Sequence, residues 1–231
     1  MNLFYQPNIQ QGVLTLDEEE SRHALKVLRM VVNDTLFLTD GRGMMYTGRI
    51  TQSTIKKCQF EIIAKRTIAA LDYTIHIAIA PTKNMDRIEW FVEKATEMGI
   101  HEISFIQCRS SERKVLKIDR LEKIAISAMK QSQQAWLPQI HPMVPFQKIL
   151  SAPADQKFIG YVDGSNQVHL KSLIRPKKKY LVLIGPEGDF TNDELEIAIA
   201  NDFNKVSLGL NRLRTETAGL TACQILHFAQ L

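Results

Sequence analysis

The sequence predicts an α/β protein: a small, mostly β unit over residues 1–71, then a domain with a parallel sheet over residues 72–231. Three observations carry this. The early residues hold short β-branched runs bounded by turn residues. From about Asp72 onward, apolar runs of strand length alternate with segments of helical period. Those runs are apolar almost without a break, as strands are when both faces of a parallel sheet are covered.

In the amino-terminal part, strands are expected over residues 13–16, 35–39, 44–51 and 58–64. Asp40-Gly41-Arg42-Gly43 fits a hairpin turn with positive φ. Asp17 can cap a helix whose first turn carries Glu18, Glu19 and Glu20, with Ala24, Leu25 and Leu28 as its apolar face. The unit reads as barrel-like. After a short boundary at residues 69–73 comes a strand at 73–80. Ile88, Phe91, Val92, Ala95 and Met98 then share one face of a helix at 86–98, which Gly99 can stop. Further on, a strand at 102–107 leads to a helix at 118–133, then strands at 157–162 and 180–185. A helix at 192–201, a strand at 205–208 and a helix from about Thr215 complete the chain.

The chain has 231 residues, 45% of them hydrophobic and 23% charged, which is ordinary for a globular protein and argues against disorder. No apolar run approaches the roughly 20 residues that span a bilayer. The first residues lack a basic stretch followed by an apolar one, so no secretory signal is read. Cys58, Cys108 and Cys223 are too few and too scattered for a disulfide framework, and a reducing cytoplasm is expected. Net charge is +4. Residues 109–130 hold seven bases against three acids, and Lys171, Arg175, Lys177, Lys178 and Lys179 form a second basic group. These suit a phosphate-facing surface and equally a solvated face.

Several chemistries are excluded by their missing fingerprints. Gly41-Arg42-Gly43 starts a dinucleotide motif, but Tyr46 replaces its last glycine and the flanking elements are strands. There is no phosphate-binding G-x-x-x-x-G-K-[ST] loop and no G-x-S-x-G elbow. The six histidines show no metal-ligand spacing, and no metal is expected. Two segments remain. Ile184-Gly185-Pro186-Glu187-Gly188-Asp189-Phe190 follows a buried strand, and its glycines permit close approach of a ligand. Thr191 and Glu194 form a capping box behind it. Leu208-Gly209-Leu210-Asn211-Arg212-Leu213-Arg214-Thr215-Glu216-Thr217-Ala218 likewise joins a strand to a helix.

Together, G-P-E-G and the later L-G-x-x-x-L-R-x-E-T-A resemble the SPOUT class of methyltransferases. Within it the whole chain is similar to the RsmE family, the 16S ribosomal RNA uridine N3-methyltransferases. His23-Ala24-Leu25-Lys26-Val27-Leu28-Arg29 resembles an element of that family's PUA-like RNA-binding domain. Lys83, Arg87, residues 93–99, residues 109–113, Gln131-Ser132 and Pro138 resemble its central elements. Asp189 stands where glycine is common, and Asn211-Arg212 where a base followed by isoleucine is usual. Lys130 and Gln134 replace an acid and an arginine.

The resemblance implies a carboxy-terminal SPOUT domain with a trefoil knot beside an amino-terminal PUA-like β-barrel. It implies S-adenosylmethionine (AdoMet) as cofactor, a homodimer, and the small ribosomal subunit with its 16S RNA as partner. The implied cofactor pocket comprises Leu183, Ile184, Gly185, Pro186, Glu187, Gly188, Leu208, Gly209, Leu210, Leu213, Thr217 and Ala218. RNA contacts are expected from His23, Arg29, Lys83, Arg87, Arg109 and Arg113. Arg214, and less so Arg212, is expected to stabilise an anionic uracil. Glu187 is expected to orient a loop amide or arginine, and Glu216 to hold Arg214. A different SPOUT substrate and a non-catalytic RNA-binding protein remain the alternatives.

Overall fold

The computed structural model describes residues 2–54, 57–162 and 168–231. The chain divides into two compact units: Met1–Ala70 with Ile126–Leu137, and Leu71–Ala125 with Pro138–Leu231. The second expected domain is therefore not continuous, because residues 126–137 pack with the amino-terminal unit. Gly43 N–H donates to Ala135 at 2.9 Å, Leu137 N–H to Gly41 at 2.9 Å, and Trp136 Nε1 to Ile68 at 3.2 Å. Gly43 has φ +93°, and the Trp136 ring lies where its Cβ would be, so both conformation and packing require glycine.

In this first unit, β1 (Leu3–Tyr5), β2 (Thr35–Thr39), β3 (Met44–Thr54) and β4 (Lys57–Thr67) form a four-stranded sheet in that order. β1 runs parallel to β2, and the other pairs are antiparallel. The expected strand at 13–16 is instead an irregular segment bridged to β4 through Thr15 and Gln59. Leu16 N–H donates to Cys58 and Phe60 N–H to Leu14, while on its other side the Thr15 carbonyl accepts from the Gln6 side chain instead of from a second strand. The helix α1 (Glu18–Arg22) is capped by Asp17, which accepts from Glu20 N–H, and runs into a single π turn at His23–Val27. Phe4, Leu36, Leu38, Ile50, Phe60 and Ala24 form the core.

The second unit is built on a six-stranded, all-parallel sheet. Its strands are β5 (Thr74–Ile79), β6 (Glu102–Gln107), β7 (Gln139–Pro145), β8 (Gln156–Gly160), β9 (Lys179–Ile184) and β10 (Phe203–Val206). Their order is β10-β8-β9-β5-β6-β7. β7 escapes the sequence reading because Pro142 and Pro145 argue against a strand, yet an edge position tolerates them. α2 (Met85–Glu97) and α6 (Thr215–Phe228) pack together, and α6 also lies on β5 and β9. Between them Gly219 faces Phe91, whose ring carbon lies 2.6 Å from where a Cβ would stand. α4 (Phe146–Ile149) and α5 (Asn192–Ala200) meet the sheet elsewhere. Ala78, Leu181, Leu183, Ile159, Phe146 and Phe190 form one buried cluster of this unit. α3 (Ile118–Gln131) is amphipathic, as its period predicts. The three cysteines are buried and unbridged. No helix among the described residues is long and apolar enough to cross a membrane.

Candidate functional site

β8 ends at Gly160, β9 at Ile184 and β10 at Val206. Beyond these carboxyl ends lies a cavity of about 450 Å3, where open α/β sheets bind ligands. Ile184, Val206, Leu208, Leu213, Val162 and Ala218 supply apolar wall, and Gly160, Gly185 and Pro186 supply backbone edge. Three arginines, Arg87, Arg212 and Arg214, and two acids, Glu187 and Asp189, complete the lining with Tyr161, Asn211 and Thr215.

The two motif segments are fastened to each other. Thr215, buried at the start of α6, donates its hydroxyl to the Gly185 carbonyl at 3.0 Å. Arg212 Nη2 reaches the Glu187 carbonyl at 3.4 Å. Glu187 Oε1 accepts from Lys83 N–H at 3.1 Å, holding the loop before α2. Arg113 donates to the carbonyls of Thr82 and Lys83 in that same loop. Asp189 sits at φ +63°, which an L residue rarely adopts. Its Oδ1 accepts from Phe190 N–H at 2.8 Å, and burial raises its pKa despite that bond and nearby Arg212.

Glu216 does not hold Arg214. Its side chain is buried in the first turn of α6, and its Oε1 lies 3.9 Å from Arg87 Nε. Oε2 has no hydrogen-bond partner among the described residues. The reason is the α2–α6 packing, which turns position 216 inward, whereas Arg214 is the N-cap, before the first helical turn. Arg214 is exposed and has no ion pair among the described residues, unlike Arg87.

Of the expected pocket residues, Ile184, Gly185, Pro186, Glu187, Leu208, Leu213 and Ala218 line the cavity. Leu183, Gly188, Gly209, Leu210 and Thr217 do not. Strand alternation sends Leu183 into the core cluster. Leu210 is fully exposed beside Gly209, whose φ is +152°. A Cβ on Gly185 would stand 3.1 Å from the Phe190 ring and one on Gly188 3.2 Å from Ser110 Cβ, so both glycines also admit a neighbouring side chain. Thr215, Asp189 and Asn211 lie in the two motif segments but were not among the expected pocket residues, and Val206 and residues 160–162 lie outside those segments. Strand ends at a sheet crossover were the available signal for the last group.

The expected RNA contacts fall in both units. His23 and Arg29 are exposed in the first, with Arg29 at φ +57°. In the second, Lys83 pairs with Glu112 at 3.0 Å and Arg109 with Asp193 at 3.3 Å, all four largely exposed. Arg87 lies on the cavity wall, and Arg113 braces a loop. Lys130, counted above in the basic stretch, pairs with buried Glu20 in the first unit.

Residues 69–227 match the family model described as an RNA methyltransferase domain, and residues 16–63 match an RNA methyltransferase PUA domain. Ribosomal RNA small subunit methyltransferase E of Buchnera aphidicola subsp. Acyrthosiphon pisum is 31% identical over 217 residues, covering 90% of this chain and 84% of that protein. A probable rRNA-methyltransferase from Porphyromonas gingivalis superposes with a TM-score of 0.94 at 43% identity, over 100% of this chain and 98% of that one. A ribosomal RNA small subunit methyltransferase E from Neisseria gonorrhoeae, crystallised bound to S-adenosyl methionine, gives a TM-score of 0.82 at 28% identity, over 99% and 97% of the two chains. On this fold, these motifs and these relatives, the chain belongs to the RNA methyltransferase family that includes the ribosomal RNA small subunit methyltransferases E.

Proposed function

We propose that this protein methylates 16S ribosomal RNA, transferring a methyl group from AdoMet to N3 of a uridine in the assembled small subunit. The observation that carries the reading is the cavity at the ends of β8, β9 and β10, apolar on its walls and cationic at Arg87, Arg212 and Arg214.

The residues present fit AdoMet. A cavity of about 450 Å3 is within the range that small cofactors occupy. Its apolar wall suits an adenine ring, and the backbone of Gly185 and Pro186 suits the ring edge. Glu187 and Asp189 are the acids available to a cationic ligand. When bound, AdoMet supplies a methyl group already activated on a sulfonium, so the protein's task is positioning.

The acceptor nitrogen normally bears a proton, which must leave before N3 can take the methyl group. Arg214 lines the cavity without an ion pair among the described residues, so its guanidinium is available to stabilise an anionic uracil at O2 or O4. Arg212 is less available, being drawn to the Glu187 carbonyl. Glu187 braces the Lys83 amide, a positioning role. Arg87 shapes the same wall under the restraint of Glu216. The target base has to leave its stack to reach these groups. His23, Arg29, Lys83 and Arg109 supply phosphate contacts, which position the RNA rather than select its sequence.

The remaining readings follow the family. The chain works as a homodimer in the cytoplasm, with Leu183, Gly188, Gly209, Leu210 and Thr217 approaching the cofactor through backbone groups. A trefoil knot in the carboxy-terminal domain follows from the resemblance to the SPOUT class.

The experiment uses small subunits from cells lacking the gene. They are incubated with the protein and labelled AdoMet, and the RNA is digested to nucleosides for mass spectrometry. N3-methyluridine is expected. Label in another nucleoside overturns the substrate, and no label with no AdoMet binding returns the chain to a purely RNA-binding role.

A further inference from the structure

His76, Glu102 and His141 are distant in sequence, but three neighbouring strands bring them together. His76 is the register partner of Glu102 across β5 and β6. Gln139 is the partner of Glu102 on β7, and His141, two residues on, falls on the same face. His141 Nε2 lies 3.0 Å from Glu102 Oε2, and His76 Nδ1 lies 3.8 Å from the same oxygen. One ligand atom from each residue lies within 4.8 Å of the others.

The surroundings suit coordination. The second ring nitrogen of His76 is 2.8 Å from the hydroxyl of buried Ser104. An Nε2–H donated to that hydroxyl leaves the Nδ1 lone pair facing Glu102, the outer-shell arrangement that orients metal-binding histidines. His76 is buried, whereas about a third of the Glu102 and His141 side chains is exposed, so an ion can enter. Tetrahedral zinc, with bonds of about 2.0–2.2 Å, holds its ligand atoms roughly 3.3 Å apart. The observed 3.0 and 3.8 Å bracket that separation.

We propose that His76, Glu102 and His141 form a binding site for a transition-metal cation of the Zn2+ type on the amino-terminal halves of β5, β6 and β7. The site is separate from the cavity at the carboxyl ends of β8, β9 and β10. Two imidazole nitrogens with one carboxylate select against Mg2+ and Ca2+, which take oxygen ligands, and leave a fourth position for water. The site also has a mechanical role. β7 is an edge strand whose Pro142 and Pro145 cannot donate to the ladder, and an ion shared by three strands fastens it to the sheet.

The test uses the full-length, untagged chain after treatment with a chelator. Zn2+ is titrated against a chromophoric competitor, and Co2+ is added separately to read coordination from its visible absorption. One equivalent should bind, with a Co2+ spectrum of low coordination number and a higher melting temperature. Glu102→Gln and His141→Gln should each weaken binding by more than the 10–100-fold typical of outer-shell losses, and Ser104→Ala by about that range. His169→Ala, outside the cluster, should leave affinity unchanged. His141→Gln lies at a partly exposed position on the edge strand and serves as the folded control if Glu102→Gln does not fold. Absence of stoichiometric binding, or binding that survives in His141→Gln, overturns the proposal. No readout depends on methyl transfer, so its failure is distinct from failure of the proposed activity.

Discussion

The hydroxyl of Thr215 donates to the carbonyl of Gly185 at 3.0 Å, joining the start of α6 to the loop after β9 across thirty residues of chain. This bond sets one wall of the cavity, since both residues line it. Thr215→Val keeps the shape and removes the donor. The variant should lose about 1 kcal/mol of stability. AdoMet binding should also weaken several-fold by calorimetry, because the two loops are no longer held in register. Unchanged affinity would mean that the bond serves folding alone.

Arg214→Ala tests the chemistry. AdoMet affinity should stay within about twofold, while kcat on small subunits falls by ~100-fold or more, as for the loss of a charge-stabilising donor. Arg212→Ala should fall less, because that side chain is already drawn to a backbone carbonyl. A larger loss in Arg212→Ala than in Arg214→Ala would reverse the assignment.

Gly219→Ala tests the α2–α6 contact. The new methyl carbon would stand 2.6 Å from the Phe91 ring, and both neighbours are buried. Overpacking of this kind costs about 1–3 kcal/mol, readable as a lower urea midpoint. Because Glu216 and Arg87 flank the same contact, turnover should decline with stability. A midpoint equal to wild type would show that the helices separate freely.

Lys130→Ala tests the pair with Glu20 in the first unit. Glu20 is buried, and burial raises its pKa despite the Lys130 contact. Removing the cation leaves a buried carboxylate unpaired and should destabilise by about 1–3 kcal/mol, below the value for fully buried pairs because Lys130 is partly exposed. The loss should shrink on acidification as Glu20 takes up a proton. A pH-independent loss would point to packing instead.

His227 links stability to pH. Its pKa is pushed down to about 4, first by burial and then by nearby His101. The unfolded chain binds this proton near pH ~6.5. Between those values the unfolded state holds more protons, so stability falls as pH drops from about 6.5 toward 4. Urea midpoints measured across that window should decline, and His227→Phe should flatten part of the slope. The substitution also removes the 2.9 Å contact with the Tyr73 hydroxyl, which lowers the whole curve without tilting it.

The sequence by itself determined the family and most local elements, with residues 13–16 and β7 as exceptions. Alternating apolar runs identify β5, β6, β8 and β9, because a covered parallel strand has to be apolar on both faces. The capping box at Thr191 and Glu194 is equally local, and it forms as spacing requires. The two motif segments were legible for the same reason: each is a contiguous stretch whose residue types are constrained by one turn. Tertiary structure decided everything that depends on which strands become neighbours. It alone placed Trp136 against Gly43, turned Glu216 toward Arg87, packed Phe190 over Gly185, and set His76 beside Glu102 and His141. Periodicity reports which face of an element is apolar, whereas the partner of a buried polar group is chosen by sheet order and helix packing, and no spacing along the chain encodes that choice.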